Sequence, residues 1–344
     1  MGQVVLVTGA ARRLSGRLIR RLQRAEGVDA VLAVDTVTPR HPIGDAEFVE
    51  TDIRHPAVGA LIARRGVNTV VHLDVGGGTA PHRRSRATVK ETNVIGTMQL
   101  LGACQKAPGV RRLVVRSSTH VYGGAPRDPA VCRETTVSGS VPGGGFAEDT
   151  VEVEEYVRGF ARRRPDVAVT VLRFADILGP TADEALAGYL TLPVLPTVLG
   201  YDPRLQFVHE DDALAALELA AGEARRGSLA AGTFNVAGDG VLLLSQCARR
   251  LGRPVLPLVR PALSWAGTAL RTVGIADFSP EYVRLLTHGR VVSTALMRET
   301  LGFSPEYTTA EALADFAGRH GPGLLPPRAV AGAVDRFEEA VRRA

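Results

Sequence analysis

The chain has 344 residues, of which 45% are hydrophobic and 22% charged, a composition that suits one large globular domain or two interlocked ones. Its 37 glycines and 21 prolines are too few for a low-complexity chain, and 41 basic against 36 acidic residues leave +5, too small a surplus to call for nucleic acid by itself. Cys104, Cys132 and Cys247 are far apart and odd in number, which argues against a disulfide framework or a cysteine-based metal site and for a reducing compartment.

In chain order, Val4-Val5-Leu6-Val7 is an apolar run ended by Thr8-Gly9, the pattern of a buried parallel strand. Arg13 to Arg24 reads as a helix with Leu14, Leu18, Ile19 and Leu22 on one face. Strands follow at Val31–Val34, ending on Asp35, and at Phe48-Val49, ending near Asp52. Thr69–Leu73 is the next strand, followed by a helix from Asn93 to Cys104. Leu113–Val115 ends at Ser117-Ser118, and a helix from about Asp149 to Arg163 leads into Val167–Leu172. Strands separated by helices imply right-handed crossovers and an α/β fold: a Rossmann-like doubly wound parallel sheet.

Beyond Gly179-Pro180 the regularity loosens. Asp211 to Ala221 reads as a helix and Thr233–Val236 as the last sheet strand. Residues 1–180 with about 206–238 are expected to form the sheet domain. Residues 181–205 with about 239–320 are expected to form a smaller C-terminal α/β substrate lobe. The tail 321–344 reads as a Pro326-Pro327 hinge and a short helix with Val330, Val334, Phe337 and Val341 on one face. The uncharged run Ala185–Tyr201 contains Pro193 and Pro196 and is shorter than the roughly 20 apolar residues of a spanning helix. With no signal-peptide pattern at Met1, a cytoplasmic protein is expected.

A first strand running into Thr8-Gly9-Ala10-Ala11-Arg12-Arg13-Leu14-Ser15-Gly16 stands where a dinucleotide fold carries its phosphate loop. Asp35 follows Gly16 by 19 residues, which suits the acid that accepts from an adenosine ribose hydroxyl. A carboxylate there repels a 2′-phosphate, so NAD is expected rather than NADP; a plain strand-end turn is the other reading of Asp35.

A longer series of landmarks carries a resemblance. It comprises Val7-Thr8-Gly9, Val34-Asp35, Asp52-Ile53, Val70-Val71-His72-Leu73, Asn93-Val94-Ile95-Gly96-Thr97 and Ser117-Ser118-Thr119-His120-Val121-Tyr122-Gly123. Leu172-Arg173, Gly179-Pro180, Phe207-Val208-His209-Glu210-Asp211-Asp212, Phe234-Asn235-Val236 and Leu301-Gly302-Phe303-Ser304-Pro305 continue it. In this order the chain resembles the extended short-chain dehydrogenase/reductases, the NAD-dependent epimerase/dehydratase family of nucleotide-sugar enzymes. The resemblance implies cofactor contacts at Thr8, Gly9, Arg12, Ser15, Asp35, Asp52, Ile53 and Leu73, a nucleotide-sugar-like ligand, and a homodimer paired through the helices near 93–106 and 149–163.

The sequence departs from that family twice. Its phosphate loop reads Thr-Gly-x-x-Gly-x-x-Gly, whereas Arg12 and Ser15 fill the second and third glycine positions here. Arg12 either obstructs the diphosphate, neutralises it with its guanidinium, or points to the surface. The family's hydride chemistry also uses a Tyr and a Lys one helical turn apart, with a Ser or Thr on the preceding strand. Ser118 matches that hydroxyl, and Glu154 matches a family Glu eight residues past the Tyr, which puts Phe146 at the tyrosine and Thr150 at the lysine. The only lysines are Lys90 and Lys106, preceded four residues earlier by Arg86 and Gly102, so no Tyr-x-x-x-Lys exists in the chain. The usual proton route is therefore expected to be lost, leaving a sensor or scaffold.

The alternative is an enzyme with a substitute acid–base group. Asp74, at the end of the fourth strand before Gly76-Gly77-Gly78, is the first candidate; a loop cap bonded to glycine backbone is its other reading. His120 reads as an ordinary half-buried residue and His72 as a core histidine. His209-Glu210-Asp211-Asp212 looks metal-like but reads better as an acidic helix start, so no metal is expected. Arg12, Arg13, Arg17, Arg20, Arg21 and Arg24 crowd the first helix without aromatic partners, which favours a solvated face over a nucleic-acid footprint. The uncharged stretch Pro261–Leu270 with Trp265 reads as a roof to the lobe, with membrane contact as the other reading.

Overall fold

The computed structural model of the protein describes residues 2–76, 86–137, 145–222, 231–259 and 280–321. Apolar runs ended by a polar residue form the strands, because a strand covered on both faces has no solvent side to alternate towards. The first half holds β1 (Gln3–Thr8), α1 (Arg13–Leu22), β2 (Val28–Asp35), β3 (Glu47–Glu50), α2 (Ala57–Arg64) and β4 (Thr69–His72). Then come α3 (Arg86–Lys90), α4 (Thr97–Lys106), β5 (Arg112–Ser118), α5 (Phe146–Arg163) and β6 (Ala168–Phe174). The second half adds β7 (Asp176–Leu178), α6 (Ala185–Leu190), β8 (Leu195–Val198), β9 (Arg204–Leu205), β10 (Phe207–His209), α7 (Glu210–Ala221) and β11 (Gly232–Val236).

Seven strands form one parallel sheet in the order β11-β6-β5-β4-β1-β2-β3. The fold is α/β and Rossmann-like, and the crossover direction reverses between β1 and β4, where ligands of such sheets bind. Leu18, Ile19 and Leu22 of α1 and Leu214 and Leu217 of α7 cover one face. Val58 and Ile62 of α2, Leu100 of α4 and Val153 and Phe160 of α5 cover the other. Each such side chain withdrawn from water contributes about 1.5–3 kcal/mol, so these two cores hold the crossovers. A third core under the carboxyl end gathers Leu186, Tyr189, Phe207, Leu285, Leu313 and Phe316. Around it β7 pairs with β10, β8 with Val255–Leu258, and β9 with Leu242-Leu243. The helices Pro280–His288 and Thr309–His320 complete this smaller body.

Several elements differ from their expected bounds. The helix expected from Asn93 starts at Arg86 and passes through a π turn, Glu91–Gly96, before α4. A Cβ on Gly96 would stand 2.7 Å from the Ile53 side chain, so glycine lets that turn sit close to the sheet. The helix expected from about Asp149 begins at Phe146, because Gly145, at φ +125, ends the preceding loop in a conformation other residues rarely adopt. The uncharged run Ala185–Tyr201 folds as α6 and β8, and among the described residues no helix is long and apolar enough to cross a membrane. Arg17 pairs with Glu210 and Asp211, and Arg21 with Asp211 and Glu218, so part of the arginine crowd on α1 answers the acidic start of α7. The His209 ring accepts from the Asp211 N–H at 3.2 Å and caps α7, and no metal-ligand cluster occurs among the described residues. The run Pro261–Leu270, Gly77-Gly78 and the tail from 322 lie outside the described residues.

Candidate functional site

β1 delivers Thr8 and Gly9 to the switch point. Gly9 has φ +71, and a Cβ on it would stand 3.0 Å from the Asp74 backbone, so conformation and close approach both require glycine. Arg12 has φ −76 and ψ 140, open to any residue, so only its bulk sets it apart. Its guanidinium lies over Gly76, where a Cβ would meet the guanidinium carbon at 2.7 Å. Arg12 therefore turns towards the loop after β4, and Gly76 makes the room. α1 opens with no side-chain cap and no acid in its first turn, which leaves amide N–H groups and the positive dipole end facing the loop. Ser15, 1% exposed in that turn, has an Oγ without a hydrogen-bond partner.

Asp35 holds this loop to β2. One carboxylate oxygen accepts from the Ala11 N–H at 2.9 Å, the other from the Thr36 N–H at 2.7 Å. A cleft of about 280 Å³ opens beside it, lined by Asp35, Thr36, Asp52, Ile53, Arg54 and Asp74 among others. The structure thus brings together Asp35, Asp52, Ile53 and Asp74. Arg54 clamps Asp52 at 2.7 Å and reaches Glu91 at 2.9 Å. Ser118 is not part of this lining.

His72 lies beneath the loop, buried between β1 and α4. Its Nδ1 is 2.7 Å from Thr8 Oγ1 and its Nε2 2.8 Å from Thr97 Oγ1, while Thr97 donates to the Asn93 carbonyl at 2.5 Å and Leu73 N–H donates to Thr8 Oγ1 at 3.3 Å. The donors form one directed chain only if His72 is neutral with its proton on Nε2. Burial foremost, then the Arg12 charge, pushes its pKa down to about 4. Asn93 also clamps Gly76, donating to its carbonyl at 3.1 Å and accepting from its N–H at 3.2 Å. Its amide donates to buried Asp149 at 3.0 Å, and Arg86 grips the same carboxylate at 2.6 Å.

The end of β5 carries the second group. Ser118 is extended, its Oγ 2.7 Å from His120 Nδ1, and it accepts from the His120 N–H at 3.3 Å as the cap of a 3₁₀ turn, Thr119–Tyr122. The Phe146 ring meets the imidazole edge-on, centroids 5.4 Å apart. Thr150 spends its hydroxyl on the Phe146 carbonyl at 2.7 Å and is fully buried. Glu281 Oε1, from the smaller body, lies 3.5 Å from His120 Nε2. His120 is 7% exposed, not half-buried, and burial foremost, then Arg290, holds its pKa well below the usual imidazole value. Ser118, His120, Phe146 and Thr150 are thus together, and Glu154 anchors the next turn of α5 by accepting from Ser117 at 2.5 Å and Arg173 at 2.6 Å.

Gly76, Asn93 and Glu281 are parts of the site that the sequence alone does not reveal. Gly76 stood in a glycine run that reads as a turn, and Asn93 in a helix pattern. For Glu281 the one available signal was an acid directly after Pro280, a helix-start pattern.

The sequence model of the NAD dependent epimerase/dehydratase family matches residues 5–237. Two relatives from Mycobacterium, Mb0513 of M. bovis and Rv0501 of M. tuberculosis, both described as uncharacterized proteins, are 44% identical over 330 residues, 94% of this chain and 85% of theirs. Among solved structures, MoeE5 in complex with UDP-glucuronic acid and NAD has a TM-score of 0.71 at 23% identity, over 92% of this chain and 98% of that one. DesIV, a dTDP-glucose 4,6-dehydratase from Streptomyces venezuelae with NAD and TYD bound, has a TM-score of 0.70 at 22% identity, over 92% and 97%. UDP-glucuronic acid 4-epimerase from Bacillus cereus has a TM-score of 0.70 at 15% identity, over 92% and 99%. At these identities the solved structures speak for the fold, and the sequence match speaks for descent: the chain belongs to the NAD dependent epimerase/dehydratase family.

Proposed function

We propose that the chain binds NAD along the carboxyl edge of β1, β2 and β4 and a nucleotide-sugar-like ligand between the sheet and the smaller body, and that the family's Tyr/Lys proton route does not operate. The residues present fit the dinucleotide: the start of α1 offers open amides, Ser15 Oγ is unpartnered, and Arg12 holds a positive charge over Gly76 beside the loop. Asp35 and Asp52, on the cleft wall, suit the adenosine ribose, and Asp74 shares that wall. A second copy docking on α4 and α5 belongs to the same reading.

The observation that carries it is the packing of Phe146 against His120 beside Ser118, with the Thr150 hydroxyl returned to its own helix. The expected phenol and ammonium are replaced by a hydrocarbon ring and a spent hydroxyl. Retained binding without that route describes a sensor or scaffold. Turnover through a substitute group is favoured by one observation, the imidazole hydrogen-bonded to Ser118. Thermal unfolding titrated with NAD, NADH, NADPH, UDP-glucose, UDP-glucuronic acid and dTDP-glucose tests the binding reading. A ligand of the folded state at a hundred times its Kd stabilises by about 2.7 kcal/mol. Stabilisation by NAD and by at least one nucleotide sugar is expected, and no stabilisation by any dinucleotide overturns the proposal.

A further inference from the structure

Ser118, His120 and Glu281 stand in line. Ser118 Oγ at the end of β5 is half-buried, the imidazole behind it is 7% exposed, and Glu281 behind that is 5% exposed. The line joins the sheet to the smaller body, because Glu281 opens the helix Pro280–His288 while its Oε2 accepts from the Ala147 N–H of α5 at 3.2 Å. The polarity of the line follows from its end. Glu281 Oε1 lies 3.5 Å from Nε2 without a hydrogen bond between them, yet a carboxylate that close favours a proton on Nε2, which leaves the Nδ1 lone pair facing Ser118. Ser118 then donates to Nδ1 at 2.7 Å, in preference to the Phe174 carbonyl at 3.5 Å. Its oxygen keeps a lone pair for an outer hydroxyl.

We propose that Ser118, His120 and Glu281 form a proton relay that does the work of the missing phenol on a ligand hydroxyl. The proposal rests on the binding reading above. The ligand O–H breaks as its proton joins Ser118 Oγ. The former Ser118 proton moves to His120 Nδ1, and Glu281 holds the resulting imidazolium. NAD, when bound, supplies the acceptor for the hydride that leaves the same carbon, so an alcohol becomes a ketone. In the return direction His120 gives its proton back through Ser118. Here Ser118 is the residue that touches the ligand, while His120 and Glu281 act through it. The charged groups facing the imidazole are Glu281 and Arg290, and burial with Arg290 keeps it neutral and able to accept.

The test uses the full chain with NAD and the three nucleotide sugars above, following reduced nicotinamide and sugar conversion. His120→Asn keeps an oxygen facing Ser118 but cannot take up a proton. It is expected to lower kcat by about 10²–10⁴-fold, leave ligand affinity unchanged and abolish the acid limb of the pH profile. Glu281→Gln is expected to lower kcat and move that limb to lower pH, because the imidazolium loses its carboxylate. Should His120→Asn not fold, Ser118→Ala supplies the same loss of kcat. A readout independent of turnover is the histidine nitrogen spectrum, in which His120 is expected as the Nε2–H tautomer. Bound ligands without hydride exchange, wild-type kcat in His120→Asn, or an Nδ1–H tautomer would each overturn the relay. Failure of every ligand to bind overturns the binding reading instead, and the tautomer still judges the relay.

Discussion

Arg12 shows how one side chain changes the demands on another strand. A glycine in the second loop position leaves the diphosphate a bare backbone; Arg12 instead lays its guanidinium over Gly76 at the end of β4. The pair is complementary, since any side chain at position 76 would displace the guanidinium. A charge held there offsets the phosphate repulsion that a bare loop leaves to amides and helix dipole. Arg12→Gly is therefore expected to weaken NAD binding by about tenfold, the loss of one charge-assisted contact worth about 1.4 kcal/mol. Calorimetric titration of both proteins with NAD decides it; tighter binding by the glycine variant would mean that the side chain obstructs.

At the scale of elements, much of the site was legible because parallel strands end abruptly. Thr8-Gly9, Asp35, Asp52 and Ser118 are polar residues closing apolar runs, and chain order alone puts them along one sheet edge. The π turn at Glu91–Gly96 was not legible, since its cause is tertiary: Asn93 must reach Gly76 and Asp149 at once. The start of α5 was read late because Glu148 and Asp149 look like a cap, yet they occupy the first turn. Glu281 was hidden because the smaller body has irregular short elements and its partner His120 is far away in sequence. The short strand β7 carries a testable consequence. Asp176, 8% exposed, has its pKa pushed up to about 7 by burial foremost, against the pull of Arg290. The folded state then holds a proton that the unfolded chain has released above about pH 4. Its stabilising contribution is complete below that pH and is lost as pH rises towards 7. Asp176→Asn, which mimics the protonated acid, is expected to be more stabilising at pH 8 than at pH 5 by about 1–3 kcal/mol. Denaturant unfolding of both proteins at the two pH values measures this; an equal difference at both would mean Asp176 is ionised in the fold throughout.

The whole molecule presents one face on which the β4–β5 and β5–β6 crossovers meet. α4 and α5 pack together on the sheet, and the π turn and α5 leave Ile95 and Tyr156 each 40% exposed. Most acids of α5 are already engaged: Asp149 with Arg86, Glu152 with Lys90 and Glu154 with Arg173. Glu155 remains exposed at the middle of the helix, and Arg158 and Arg162 in its second half. In the proposed pair a two-fold axis would run α5 antiparallel to its copy, setting Glu155 of each chain towards the basic half of the other with the tyrosines near the centre. A stable pair needs about 800 Å² from each partner, more than two side chains provide, so α4 has to share the contact. Sedimentation equilibrium is expected to give the mass of a dimer, and Tyr156→Arg, which places like charges at the centre, that of a monomer. Tyr156 lies outside the lining of the proposed cofactor cleft, so the monomeric variant is expected to keep its NAD affinity. A wild-type chain that sediments as a monomer at micromolar concentration would rule the pairing out, and a dimer unchanged by Tyr156→Arg would place it on another surface.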